Sequence, residues 1–332
     1  MANHTKSGSA AAIAFERAGL RELSQAARHG GAPCVQITGY GAHSISTAHL
    51  PTQYPTARAA YLFGQELALT HAYCPSGQRV YGQAPAGYIE SWGATGNMGQ
   101  AALGLVAADS PSRRFGEFYA ADRLLPYLPE ARANGSISAA DVRCIERVAE
   151  RLRDGVFDAP QPQAVRTQAA LIHGDLWSGN ILWTHSDARY VRSDASPTFH
   201  CSSPISAPLS SNAQQYEEVP TVSEQGNSTT YPIDPPVDPH GLSFGTCDEP
   251  CVGVLIDPAC HGGHGESDLA QLHVFGAPFI HEIYAGYQAV SPLASGWQER
   301  IGLHQLHMLI VHAALFGGSY GRETVAVARA YV

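Results

Sequence analysis

The residues with the clearest chemical potential in this sequence are Asp175, Asn180 and Asp257. Asp175 stands in His173-Gly174-Asp175-Leu176-Trp177-Ser178-Gly179-Asn180, which runs into the apolar Ile181-Leu182-Trp183. Asp257 closes a second apolar run, Gly253-Val254-Leu255-Ile256, and is followed by Pro258-Ala259. Phosphoryl transfer from a nucleotide asks few groups of a protein. One carboxylate orients the attacking hydroxyl, while an Asn oxygen and a second carboxylate hold the metal that bridges the phosphates. A His-x-Asp tripeptide alone recurs by chance. An Asn five residues beyond the Asp, and an Ile-Asp-Pro at the end of the next apolar strand, make the joint pattern specific. The plainer alternative gives the three residues turn, strand-end and helix-cap duties. A hydrolase reading is disfavoured on the expectation that the chain has no Gly-x-Ser-x-Gly elbow and no strained nucleophilic Ser, although His173 stands near an Asp.

The two apolar runs predict a hairpin, and the elements around it are mostly helical. Residues 10–28 carry Ile13, Leu20 and Leu23 at helical spacing and stop at Gly30-Gly31. Residues 33–50 hold short β-branched pieces separated by Gly39 and Gly41, which suits a strand pair. A second helix follows, with Ala59, Leu62, Phe63 and Leu67 on one face. Gly- and Pro-rich turns are expected from Pro75 to Gly104. Residues 115–127, 138–155, 266–290 and 298–316 read as helices. The second of these opens on a Ser138/Asp141 capping box and carries Val142, Ile145, Val148 and Leu152 as its stripe.

Residues 186–250 are different, with eleven Ser and nine of the chain's 22 Pro, few large aliphatics and no stable period. Such a composition cannot bury a core, so a disordered or loosely packed insertion is expected. It would sit at the hairpin tip, where added chain costs little closure entropy. The alternative is a small subdomain pinned by Cys247 and Cys251. A metal site there is disfavoured because no second ligand pair follows.

The 332 residues are 44% hydrophobic and 15% charged, enough to bury a large core. The net charge of −9 lacks the positive field that nucleic-acid binding requires. The longest apolar stretch, Leu303–Phe316, is cut by His304, Gln305, His307 and His312, so no membrane span is expected. The first residues show no secretory signal and the seven cysteines are scattered, which makes the cytoplasm the default compartment. Nineteen of the 20 basic residues are Arg, and Lys6 is the single lysine.

The motif His-Gly-Asp-Leu-Trp-Ser-Gly-Asn, together with Ile256-Asp257-Pro258-Ala259 and the later His264-x-Glu266-x-Asp268-Leu269-Ala270, resembles the fructosamine kinase (ketosamine-3-kinase) family. That family is a branch of the aminoglycoside-phosphotransferase and protein-kinase-like superfamily. The likeness extends to Glu16–Leu20, to Phe63-Gly-Gln-Glu-Leu-Ala-Leu-Thr-His71, to residues 115–124 and to Gly296-Trp297-x-Glu299-Arg300. Trp177 after His-Gly-Asp-Leu distinguishes this branch from the broader aminoglycoside kinases.

The resemblance implies a two-lobed, protein-kinase-like α+β fold. A truncated N-terminal nucleotide lobe would occupy residues 1–50, because the family places two strands and a nucleotide-covering loop ahead of its lysine strand. A mainly helical catalytic lobe would occupy 51–332. The implied activity is ATP-dependent phosphorylation of a sugar hydroxyl on a ketosamine or other glycated amine by a monomer. Asp175 would be the base and Asn180 and Asp257 would bind Mg²⁺. Lys6, paired with Glu16, would contact the nucleotide phosphates as a compact ammonium. Trp177 and Trp297 would wall the sugar site, or else belong to the core. His173, His264, Glu266 and Asp268 would support the catalytic loop and metal strand. The alternatives are a phosphotransferase for an aminoglycoside or amino alcohol, and a catalytically impaired pseudokinase.

Overall fold

The computed structural model describes residues 3–192 and 251–332. Strand β1 (Asn3–Ser7) leads to helix α1 (Ala10–Arg28), whose N-terminus is capped by Ser9, the side chain accepting from the Ala12 N–H. Three short strands follow, β2 (Cys34–Val35), β3 (Ile37–Tyr40) and β4 (Ser44–Ala48). Strands β1, β4 and β3 form an antiparallel sheet in that order, with Lys6 opposite Ile45. Helix α1 buries Leu20 and Leu23 against Cys34, Val35, Leu171 and Val254, and this burial fixes the helix relative to the strands that carry the site.

Helix α2 (Ala57–Ala72) starts at Thr56, which caps the Ala59 N–H. A short helix α3 (Ile89–Trp92) and a hairpin, β5 (Thr95–Met98) and β6 (Ala101–Gly104), come next. Only turns were expected before Gly104. The hairpin was hidden because its apolar side chains are few, and its two-residue loop turns on Gly99 at φ +57.

The helix expected over 115–127 is broken into α4 (Phe115–Phe118), a wide turn over Tyr119–Leu124 and a tight turn over Leu125–Tyr127, followed by α5 (Leu128–Ala133). Pro126 and Pro129 supply no backbone N–H, so a regular ladder cannot run through them. Helix α6 (Ala139–Arg153) has the expected reciprocal cap between Ser138 and Asp141 and buries Ile145, Val148 and Leu152.

Strands β7 (Ala170–Ile172), β8 (Ile181–His185), β9 (Tyr190–Val191), β10 (Cys251–Leu255) and β11 (His261–Gly263) frame the site. The expected hairpin is present, with Ile181 opposite Leu255 and Leu182 opposite Val254. It extends into a four-stranded sheet ordered β8-β10-β2-β9. The insertion boundary at 186 is therefore corrected: Tyr190 and Val191 pair with Val35 and Cys34, burying apolar surface beside α1. The remainder of the expected insertion, 193–250, including Cys247, lies outside the described residues.

Helices α7 (Gly265–Gln271), α8 (Ile280–Val290), α9 (Trp297–Phe316) and α10 (Ser319–Ala328) complete the chain. The single helix expected over 266–290 is two, because Gly276 and Phe279 take positive φ on either side of Pro278. Helices α2 and α8 cross with reciprocal glycines: a Cβ at Gly64 would strike the Ile283 carbonyl, and one at Gly286 would strike that of Tyr61. Among the described residues, no helix is long and apolar enough to cross a membrane.

Candidate active site

Strand β7 delivers His173 and Asp175 into a loop whose sharp turn rests on Gly174 at φ +84. A side chain there would meet the Ala259 carbonyl and the His261 ring, so the position admits glycine alone. The loop is pinned from behind. Asp268, fully buried on α7, accepts from the N–H of His173 at 2.6 Å and from that of Gly174 at 2.9 Å. Gln271, one helical turn on, accepts from the Leu176 N–H at 2.6 Å and donates to the Gly174 carbonyl at 3.2 Å.

His173 is a strut. Its Nε2 lies 2.8 Å from the Ile256 carbonyl and its Nδ1 accepts from the Asp175 N–H at 3.3 Å, an arrangement that suits the neutral Nε2–H tautomer. Burial pushes its pKa down, in keeping with a neutral ring. His71, at the end of α2, stands 3.1 Å from Asp268 Oδ2 and is backed by the Tyr287 hydroxyl at 2.8 Å. Burial opposes the charge of Asp268, but His71, His173 and the Gly174 N–H outweigh it and hold the carboxyl below its usual range.

Asn180 closes the loop. Its amide nitrogen donates to the Asp175 carbonyl at 2.7 Å and to Asp175 Oδ2 at 3.2 Å. Asp175 is pushed up to about 6, chiefly by burial, and Asn180 works in the other direction. A carboxylate with that pKa is ionised near pH 7 and still basic enough to accept a hydroxyl proton. Asp257 follows the last residue pairing in β10 and takes φ +50, a left-handed turn that Asp tolerates better than most residues.

Lys6 Nζ bridges Glu16 Oε2 at 2.9 Å and Asp257 Oδ2 at 3.4 Å. Burial alone would depress the ammonium, but the two carboxylates outweigh it and raise its pKa. One edge strand, one helix, the loop after β7 and the base of the β8–β10 hairpin thus bring Lys6, Glu16, Asp175, Asn180 and Asp257 together. The donor set suits a hard cation such as Mg²⁺. Asn180 spends its amide N–H groups on Asp175 and leaves Oδ1 uncommitted, while the Asp257 side chain is 46% exposed.

The other expected residues lie around this core. Trp177 is half-buried, its ring covering Gly179 and meeting Phe275 edge-on at 5.4 Å. Trp297 stacks on Tyr284 at 4.7 Å and packs against a different cluster, with Leu269 and Leu293. The two tryptophans therefore serve separate packing groups. His264 caps α7, accepting from the Glu266 N–H. Glu266 takes the Arg300 guanidinium on both oxygens, at 2.8 and 2.6 Å.

His264, Glu266 and His304 place potential ligand atoms within 4.8 Å of one another. Those atoms are already engaged, by Arg300 on Glu266, by Ser267 on His304 and by the Glu266 N–H on His264, so the cluster is a structural pin. The expectation that no Gly-x-Ser-x-Gly occurs is corrected by Gly317-Gly318-Ser319-Tyr320-Gly321, but this stretch joins helix α9 to α10 without a strand and so lacks the strand-to-helix turn of a nucleophile elbow.

Sequence reasoning did not single out His71, Gln271 or Arg300. His71 and Arg300 ended stretches already recognised as family-like, and that was their available signal. Gln271 had none, since its role exists only where α7 meets the loop.

A profile described as fructosamine kinase matches residues 3–196 and 242–331. The crystal structure of a "putative fructosamine-3-kinase" from Thermobifida fusca is 30% identical with a TM-score of 0.62, covering 95% of this chain and 79% of that one. "Probable ketoamine kinase YniA" of Escherichia coli K12 is 25% identical over 274 residues, 82% of this chain and 63% of its own. Shorter, closer matches to other curated relatives span about a quarter of their length. The gentamicin-APH(2")-IIa complex, 9% identical with a TM-score of 0.50, covers 99% of this chain and 87% of its own and shares the fold alone. The expected protein-kinase-like α+β fold is the fold of these structures.

Proposed function

Because the chain belongs to the fructosamine kinase family, we propose that it transfers the γ-phosphoryl group of ATP to a sugar hydroxyl of a ketosamine, the rearranged adduct of a sugar with an amine. The observation that carries this reading is the placement of Asp175, with a pKa of about 6, on a loop fixed by Asp268, Gln271 and Asn180 and within the same cluster as Asp257 and Lys6. Asn180 Oδ1 and the Asp257 carboxylate would hold Mg²⁺. Bound there, the ion would neutralise charge on the phosphates.

The remaining chemistry falls to the chain itself. Asp175 accepts the proton of the acceptor hydroxyl as its oxygen bonds to the γ-phosphorus, the bond to ADP breaks, and the proton leaves later to water. Lys6, tethered by Glu16, presents a point charge to the phosphate oxygens. Asp268 and His173 take no part in proton transfer; they fix the direction of the Asp175 side chain.

The test is consumption of ATP with Mg²⁺ and fructose-lysine, run beside an aminoglycoside and an amino alcohol. Turnover confined to the ketosamine supports the proposal. Turnover only on the aminoglycoside or amino alcohol replaces the substrate class, and a folded protein that turns over none of them replaces the enzyme reading with a pseudokinase.

A further inference from the structure

Behind the catalytic loop, between the β7–β11 pair and helix α9, lies a small internal cavity bounded by Arg123, Gly174, His261, Gln271, His304 and His307. It has room for the centre of one water-sized particle, about 10 Å³. Arg123 lies in the wide turn after α4 and is 1% exposed. Its Nη1 donates to the carbonyls of Gly104 at 3.0 Å and Asp122 at 2.9 Å, whereas Nε and Nη2 have no hydrogen-bond partner. The Phe118 ring covers one face of the guanidinium at 4.6 Å, but a ring face does not satisfy edge N–H groups.

The charge is as orphaned as the donors. Asp122, the carboxylate next in sequence, is spent on Arg113 at 2.6 and 3.1 Å. Among the described residues lining the cavity there is one guanidinium and three imidazoles, and no carboxylate. A guanidinium stays protonated in proteins, so it cannot escape burial by losing its charge. Buried charges are paired or they are costly, and a water molecule could satisfy the donors but not the charge.

We propose that this cavity is a binding site for a single monatomic anion of the chloride class, held on Nε and Nη2 of Arg123. Room for about one water-sized particle favours a monatomic anion over a polyatomic one such as phosphate. Gly174 and Gln271 form part of the wall, and Gln271 also holds Leu176 and Gly174, so the anion braces the loop that carries Asp175 from its buried side. This inference is independent of the acceptor proposed above.

Thermal unfolding of the whole chain at fixed ionic strength, with gluconate replaced stepwise by chloride, provides the test. The melting temperature is expected to rise by about 2 °C per tenfold increase in chloride above its Kd, and Arg123→Met is expected to remove the dependence. Should that variant fail to fold, crystals of the unaltered protein grown in bromide keep the question decidable. An anomalous peak beside Arg123, with bromide stabilising the protein in solution, supports the site. An ordered water in its place, or a bromide peak without any halide dependence in solution, which would be an adventitious ion only, overturns it.

Discussion

The Asp268 carboxylate and the Gly174 N–H are 2.9 Å apart, and this contact joins helix α7 to the loop that carries the proposed base. With the neighbouring His173 N–H at 2.6 Å on its second oxygen, Asp268 satisfies two buried backbone donors that have no strand partner. Asp268→Ala should destabilise the protein by about 3–5 kcal/mol, the range for breaking a buried charged network. Urea unfolding checks the stability, and a loss below about 1 kcal/mol would remove the bracing role.

Asp175 and Asp257 should separate in their effects, since on the proposed mechanism one would face the acceptor and the other the phosphates. Asp175→Asn is expected to lower kcat about 10²–10⁴-fold, the range for a lost general base, while leaving nucleotide binding nearly unchanged. Asp257→Ala is expected to weaken Mg-nucleotide binding roughly 10–100-fold, the scale of one charged contact. Calorimetric titration with a non-hydrolysable ATP analogue distinguishes the two, and equal loss of binding would refute separate roles.

Lys6 is bridged to Glu16 and Asp257, and its value lies in being compact. Lys6→Arg keeps the charge but offers a planar fork that prefers to engage a carboxylate in bidentate fashion. The variant is therefore expected to retain stability and lose nucleotide affinity, and the same loss of affinity is expected of Lys6→Ala. Full affinity in Lys6→Arg would show that charge alone suffices.

Acid should weaken the fold well above the usual carboxylate range. Burial pushes His261 and His264 down to about 3, from an ordinary value of 6.5, and His307 well below that value. Between pH 6.5 and 3 the unfolded chain binds protons that the folded chain refuses. Stability is therefore fully present above 6.5 and falls as pH is lowered through that window. The three rings together give a slope near pH 5 of about 4 kcal/mol per pH unit, and Asp175 and Glu66, pushed up by burial to about 6 and about 7, offset about 2 of it, which leaves a net slope of about 2 kcal/mol per pH unit. Urea unfolding at pH 7, 6 and 5 measures it, and unchanged stability across those points would contradict neutral burial of these rings.

Much of the site was legible from local pattern. The hairpin, the α6 cap and the set Asp175, Asn180 and Asp257 all rest on interactions within a few residues or between two adjacent strands, where residue type and spacing carry the information. The pairing of Lys6 with Glu16, ten residues apart, came from family likeness, and the structure adds Asp257 as the third member of that group.

What only the tertiary structure decided are the contacts without a sequence period. Gln271 meets Leu176 across 95 residues and His71 meets Asp268 across 197. Trp177 and Trp297, which the sequence reads as walls of one site or as core, pack in separate clusters. Prolines at 126 and 278 divided helices whose apolar spacing alone read as continuous. The charge left uncompensated on Arg123 was likewise invisible, since an arginine in a helical stripe looks solvated until the side chains closing over it are known. Propensity and spacing select elements through nearest neighbours, whereas burial and charge pairing depend on which distant surfaces close upon one another.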